Sequence, residues 1–138
     1  MFSLAARSPV SIFAGSTLAP VANEPTSPPG PAPLHLVLST FPDETTARRI
    51  VLMLVEERVV ACGNLLPGLT SIYRWQGAVE TAAEVLVVFK TASAPDVVMA
   101  RLRELHPYEV PEIIVLPVAT VLPAYLAWVV ENSGAPTA

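Results

Sequence analysis

Two stretches, LHLVLST at 34–40 and EVLVVFKT at 84–91, read as continuous apolar runs with no polar alternation. Each is short enough for a strand and apolar on both of its faces, as a strand in the middle of a sheet must be. Any fold for this chain has to put these two strands at the centre and cover both faces of the sheet they form.

The intervening segments supply candidate covers. Pro42 and Asp43 open a helix in which Ala47, Ile50, Val51 and Leu54 fall at i, i+3, i+4 and i+7, one apolar stripe. Glu44 and Arg48 stand four apart on it as an ion pair. ERVVACGNLLPG leaves the helix and enters a strand, and LTSIYRW at 69–75 continues extended past the Pro67-Gly68 break. Gln76-Gly77 is a turn signal. Pro95 suits the first turn of a second helix, where its missing N–H does no harm. Val98, Leu102 and Leu105 make that helix's inner stripe, and Pro107 stops it. EIIVLPVA at 112–119 reads as the next strand. Leu122, Tyr125, Leu126 and Val129 give a last short helix, closed near Gly134.

The order β-α-β-β-α-β with an added C-terminal helix is an α+β, ferredoxin-like arrangement, whose expected strand order is 4-1-3-2. One feature strains it. The strand at 112–119 should be an edge, yet Ile113, Ile114, Val115 and Leu116 are all apolar. An exposed apolar edge invites aggregation, so another subunit is the economical cover. The composition points the same way, since 52% apolar residues is high for a chain of 138.

Charge narrows the partners. A net charge of −4 with 14% charged residues argues against nucleic acid, which selects a basic stripe. Lys90 is the single lysine, so there is no polybasic patch for a membrane surface, and no apolar run reaches the roughly 18 residues of a membrane span. A single cysteine, Cys62, excludes an intrachain disulfide and fits a reducing, cytoplasmic compartment. Residues 1–33 stand apart from the domain expected over 34–134. They hold 7 of the 15 prolines and only two charged residues, Arg7 and Glu24, a flexible-extension composition. A targeting role for them stays open.

Three blocks are more specific: STFPDETTARRI, LVEERVVACGNLLPGLTSIYRWQG and LHPYEVPEIIVLPV. In order and spacing they resemble the CutA divalent-cation tolerance family, over about Leu34 to Val130. The resemblance implies a compact homotrimer of ferredoxin-like subunits, PII-like in architecture, in which sheet edges of neighbours pair and the long β-hairpin helps lock the assembly. It also implies tolerance to divalent cations, with copper(II) or a similar metal as an optional ligand, no obligatory cofactor and no enzymatic reaction. In some family members the positions of Ser39 and Leu105 hold a cysteine and a second histidine; here two of three expected ligands are missing.

Several residues carry a structural and a functional reading side by side. His106 ends a helix, where it serves as a cap or as a metal ligand. Cys62 is a small buried side chain or a soft ligand for copper. In the expected topology these two lie at opposite poles of the sheet, so one chain does not bring them together. Tyr73 and Trp75 share one face of the hairpin with Leu69 and Ser71, and read as a subunit anchor. Arg74 is on the other face. Tyr108 and Glu109 are expected at a subunit interface or cleft, with Val110 pushed extended by Pro111. Glu109 and Glu112 flank Pro111 on an extended segment, an unpromising pair for acid–base catalysis.

Overall fold

The structure is a computed structural model and describes residues 33–134. The proline-rich extension expected over 1–33 therefore lies, apart from Pro33, outside the described residues. The elements run β1 (His35–Phe41), α1 (Glu44–Glu56), β2 (Cys62–Trp75), β3 (Ala78–Thr91), α2 (Pro95–Leu105), β4 (Ile114–Pro117) and α3 (Pro123–Asn132). The four strands form one antiparallel sheet in the order β2-β3-β1-β4, the expected order read from the other edge, with the two apolar runs at its centre.

Local chemistry explains each element. Asp43 caps α1, its Oδ1 accepting from the Thr46 N–H at 2.7 Å, and Glu44 pairs with Arg48 at 3.0 Å. The α1 stripe of Ala47, Ile50, Val51 and Leu54 is buried against Val37, Phe41, Val85, Val87 and Phe89 of the central strands and Val98 and Leu102 of α2. The β2–β3 turn is the two residues Gln76 and Gly77, both at positive φ, as a tight hairpin requires.

The hairpin is longer than its apolar sequence suggests. The stretches either side of Pro67-Gly68 form one 14-residue strand, because the break is a bulge: Leu66 faces Leu86 while Leu69 faces Glu84. Gly68 supplies a φ of 81°, and Pro67 sits on the edge strand, where its missing donor matters least. Likewise β3 begins at Ala78 rather than at residue 84.

Two further expectations change. The strand expected over 112–119 shortens to Ile114–Pro117. Leu122 falls off the α3 stripe, 70% exposed, because it is the residue before the helix; Tyr125, Leu126 and Val129 do pack, with Leu34 and Ala61, in a second cluster.

Strand alternation gives the sheet two unlike faces. Val37, Phe41, Val85, Val87, Phe89 and Val115 face the helices. Their alternates do not. Leu36 and Leu38 of β1 pair with Lys90 and Val88 of β3 on one side and with Leu116 and Ile114 of β4 on the other. Ile114 and Leu116 are 43% and 42% exposed. The apolar edge thus resolves into two side chains for the core and two for a face that no helix covers.

Candidate functional site

The segment from His106 to Glu112 joins α2 to β4 across the Phe41 end of the sheet. It starts at a helix end because Pro107 cannot continue α2. His106 is the C-cap residue, its own N–H bonding Leu102 O at 2.9 Å. Its ring is buried, stacked on Phe41 with centroids 4.6 Å apart. Nε2 donates to the Thr40 carbonyl at 2.9 Å, and Nδ1 accepts from the Tyr108 N–H at 3.2 Å. Val118 N–H donates to Leu34 O, so the alternate carbonyls of β1, Thr40 among them, point toward the β4 side. Pairing with β4 ends at Leu38, and the imidazole serves as the donor that the shortened strand does not supply.

This pattern is that of a neutral imidazole. Burial pushes the His106 pKa down from its ordinary value, while the Thr40 carbonyl and the Glu84 carboxylate pull the other way. A helix end favours a charged histidine, yet here desolvation and an N–H aimed at Nδ1 favour the uncharged ring.

Tyr108 continues the chain of contacts. Its hydroxyl donates to Glu84 Oε2 at 2.8 Å, and its ring lies 5.0 Å from that of His106. Burial first, and then the Glu84 carboxylate, raise the Tyr108 pKa well above its usual value, so the phenol stays protonated. Glu84 lies midway along β3, just before its apolar run from Val85 to Phe89, and is only 9% exposed.

Between this segment and the distal part of the hairpin lies a cavity of about 570 Å³. Tyr73, Trp75, Tyr108 and Glu109 all line it, joined by Thr40, Glu84 and Glu112. Glu84 was hidden in the sequence, being inside a run read for its apolar residues; the signal was a carboxylate directly before the apolar run of a central strand. Arg74 points away, on the other face of β2, as alternation dictates.

Cys62 lies elsewhere. It pairs with Lys90, near the His35 end of the sheet, whereas Phe41 and its stacked His106 sit opposite Val85. Five residues of strand separate these positions, roughly 17 Å. Cys62 is a free, half-buried thiol, and its neighbour Tyr125 has a raised pKa through burial and then the thiol. Ser39 is fully buried on the helix-facing side, its Oγ without a partner among the described residues, and Leu105 packs on the core. Among the described residues, no three His, Cys, Asp or Glu side chains converge as a metal cluster.

The family described as CutA1 divalent ion tolerance protein matches residues 35–132, the whole sheet and all three helices. The chain belongs to the CutA1 family. The divalent-cation tolerance protein CutA of Thermus thermophilus is 51% identical over 101 residues, covering 72% of this chain and 98% of that one. Mouse Protein CutA is 42% identical over 111 residues, 75% of this chain and 63% of the mouse protein. Among solved structures, the Thermus thermophilus protein superposes with a TM-score of 0.68 at 48% identity, over 73% of this chain and 99% of its own. CutA1 from Oryza sativa gives 0.69 at 32% identity, over 78% and 98%. The CutA1 fold is thus present from strand to terminal helix, and the cavity lies within the matched residues. No helix among the described residues is long and apolar enough to cross a membrane.

Proposed function

We propose that this CutA1 protein works as a cytoplasmic homotrimer in tolerance and response to divalent cations, binding copper(II) or a similar ion weakly and catalysing no reaction. The observation that carries the assembly is the uncovered apolar face of the sheet, with Leu36, Leu38, Leu66, Leu86, Val88, Ile114 and Leu116 on it. Two central strands apolar on both faces need a second cover, and further copies of the same face supply one. The described names of relatives support the cation-tolerance part. Its acidic charge and single lysine favour neither nucleic acid nor membrane as partner. The lone cysteine is the support for the cytoplasm.

His106 and Cys62 are the candidate metal donors. Roughly 17 Å apart in one protomer, they meet at one ion only if different protomers contribute them. At His106 a metal would take the Nδ1 lone pair from the Tyr108 N–H, which accords with weak binding. Sedimentation tests the trimer: a stable lone subunit at micromolar concentration refutes it. Calorimetric titration with copper(II) on the natural protein, His106→Ala and Cys62→Ser tests the donors, and identical isotherms refute both.

A second reading is favoured by one specific observation. The cavity beside Tyr73, Trp75, Tyr108 and Glu109 suits a PII-like signalling or adaptor trimer that takes a small molecule or partner in its clefts. Metal-independent capture of a ligand there supports this reading over the first.

A further inference from the structure

We propose that the cavity between the hairpin and the 108–112 segment is a site for a small organic cation, an ammonium or guanidinium carried on an apolar body. The inference rests on the cleft reading above and adds the chemical class of ligand. Glu84, Glu109 and Glu112 line the cavity, and among the described residues no lysine or arginine does. Glu84 is more than a surface carboxylate. It is 9% exposed, Oε2 takes the Tyr108 hydroxyl, and Oε1 accepts no hydrogen bond from the described residues. A carboxylate on so largely buried a residue ordinarily holds a cation or several donors. Here a single neutral hydroxyl is present, and the open oxygen belongs to a side chain that lines the cavity.

The walls select the kind of cation. Tyr73 and Trp75 are half-exposed aromatics on the same strand face, and aromatic faces attract ammonium and guanidinium groups as well as apolar carbon. A bare divalent ion fits worse: oxygen ligands must converge within about 2.6 Å of a calcium-sized centre, and these carboxylates form no such cluster. An extended organic cation can instead place its charge at Glu84 and its body between the rings. The volume, about 570 Å³, lies in the range of small-molecule sites, about 300–1,000 Å³.

The test uses the full chain, ¹⁵N-labelled, with the Trp75 indole N–H followed by NMR. Benzylamine, benzyl alcohol and sodium benzoate share one ring and differ in charge. Benzylamine, protonated at neutral pH, is expected to shift the resonance saturably, and at least about tenfold more tightly than benzyl alcohol. Glu84→Gln is expected to weaken benzylamine by about tenfold and Glu109→Gln by about threefold, with benzyl alcohol unchanged. Should Glu84→Gln fail to fold by circular dichroism, Glu109→Gln combined with Glu112→Gln carries the test. Equal binding of the alcohol, or preference for benzoate, overturns the cationic class while leaving the cleft a ligand site. No shift from any of the three overturns both. A shift from copper(II) alone returns the cleft to the metal reading and overturns the proposal.

Discussion

The β2–β3 hairpin contains two regions that share strands and little else. In its proximal half, Val85, Val87 and Phe89 of β3 are buried under both helices. In its distal half, from Leu69 to Ala83, no side chain is fully buried, and Ile72 is 71% exposed. The backbone pairing runs through both, interrupted only at the Pro67-Gly68 bulge. Hydrogen bonds therefore do not distinguish them; the cover does. A two-stranded ribbon is marginal in water by itself, so the distal half draws its order from the proximal half and from whatever packs on Tyr73 and Trp75.

Substitutions can sharpen or break that contrast. Phe89→Ala, in the proximal half, should cost about 3–5 kcal/mol in denaturant unfolding, since it opens a cavity under two helices. A loss below 1 kcal/mol would mean that half is not the core. Gly63→Ala should follow at about 1–3 kcal/mol, because a Cβ there would sit 2.7 Å from Val51 Cγ1 and 3.3 Å from Phe89. Asp43→Ala removes the α1 cap and should lower stability by about 1 kcal/mol, read as a fall in urea midpoint with unchanged slope. In the distal half, Ile72→Ser should alter the protomer's own fold least, within about 0.5 kcal/mol, while shifting sedimentation toward smaller species. Loss of stability with no change in mass would place Ile72 in the core side of the comparison.

His106 gives a pH handle on the junction of the two regions. Its folded pKa is depressed from 6.5 by burial. The unfolded chain then binds the extra proton first, so this contribution is whole above pH 6.5 and is lost as pH falls through the folded pKa. Melting temperature should drop between pH 7.5 and 5 in the natural protein, and less steeply in His106→Gln. Parallel curves would show that the ring is not held neutral.

Much of the fold was legible because it rests on period and punctuation. The α1 stripe, the Gln76-Gly77 turn, Pro95 opening α2 and Pro107 closing it are local signals, and each was readable residue by residue. The candidate site was legible only in parts. Tyr73, Trp75, Tyr108 and Glu109 stood out as polar or aromatic residues in stiff surroundings. Glu84 did not, because its importance depends on which part of β3 meets Tyr108, 24 residues away. The shortening of β4 was equally hidden, since His106 rather than a strand residue takes the Thr40 carbonyl.

The sequence by itself determined the elements, their order and the two strands at the centre, because apolar periodicity, glycine and proline act over a few residues. Only the tertiary structure decided that His106 is an uncharged donor rather than a helix-end cation, and that Glu84 borders a cavity. Those outcomes depend on desolvation and on distances between segments remote in the chain, which no local pattern encodes.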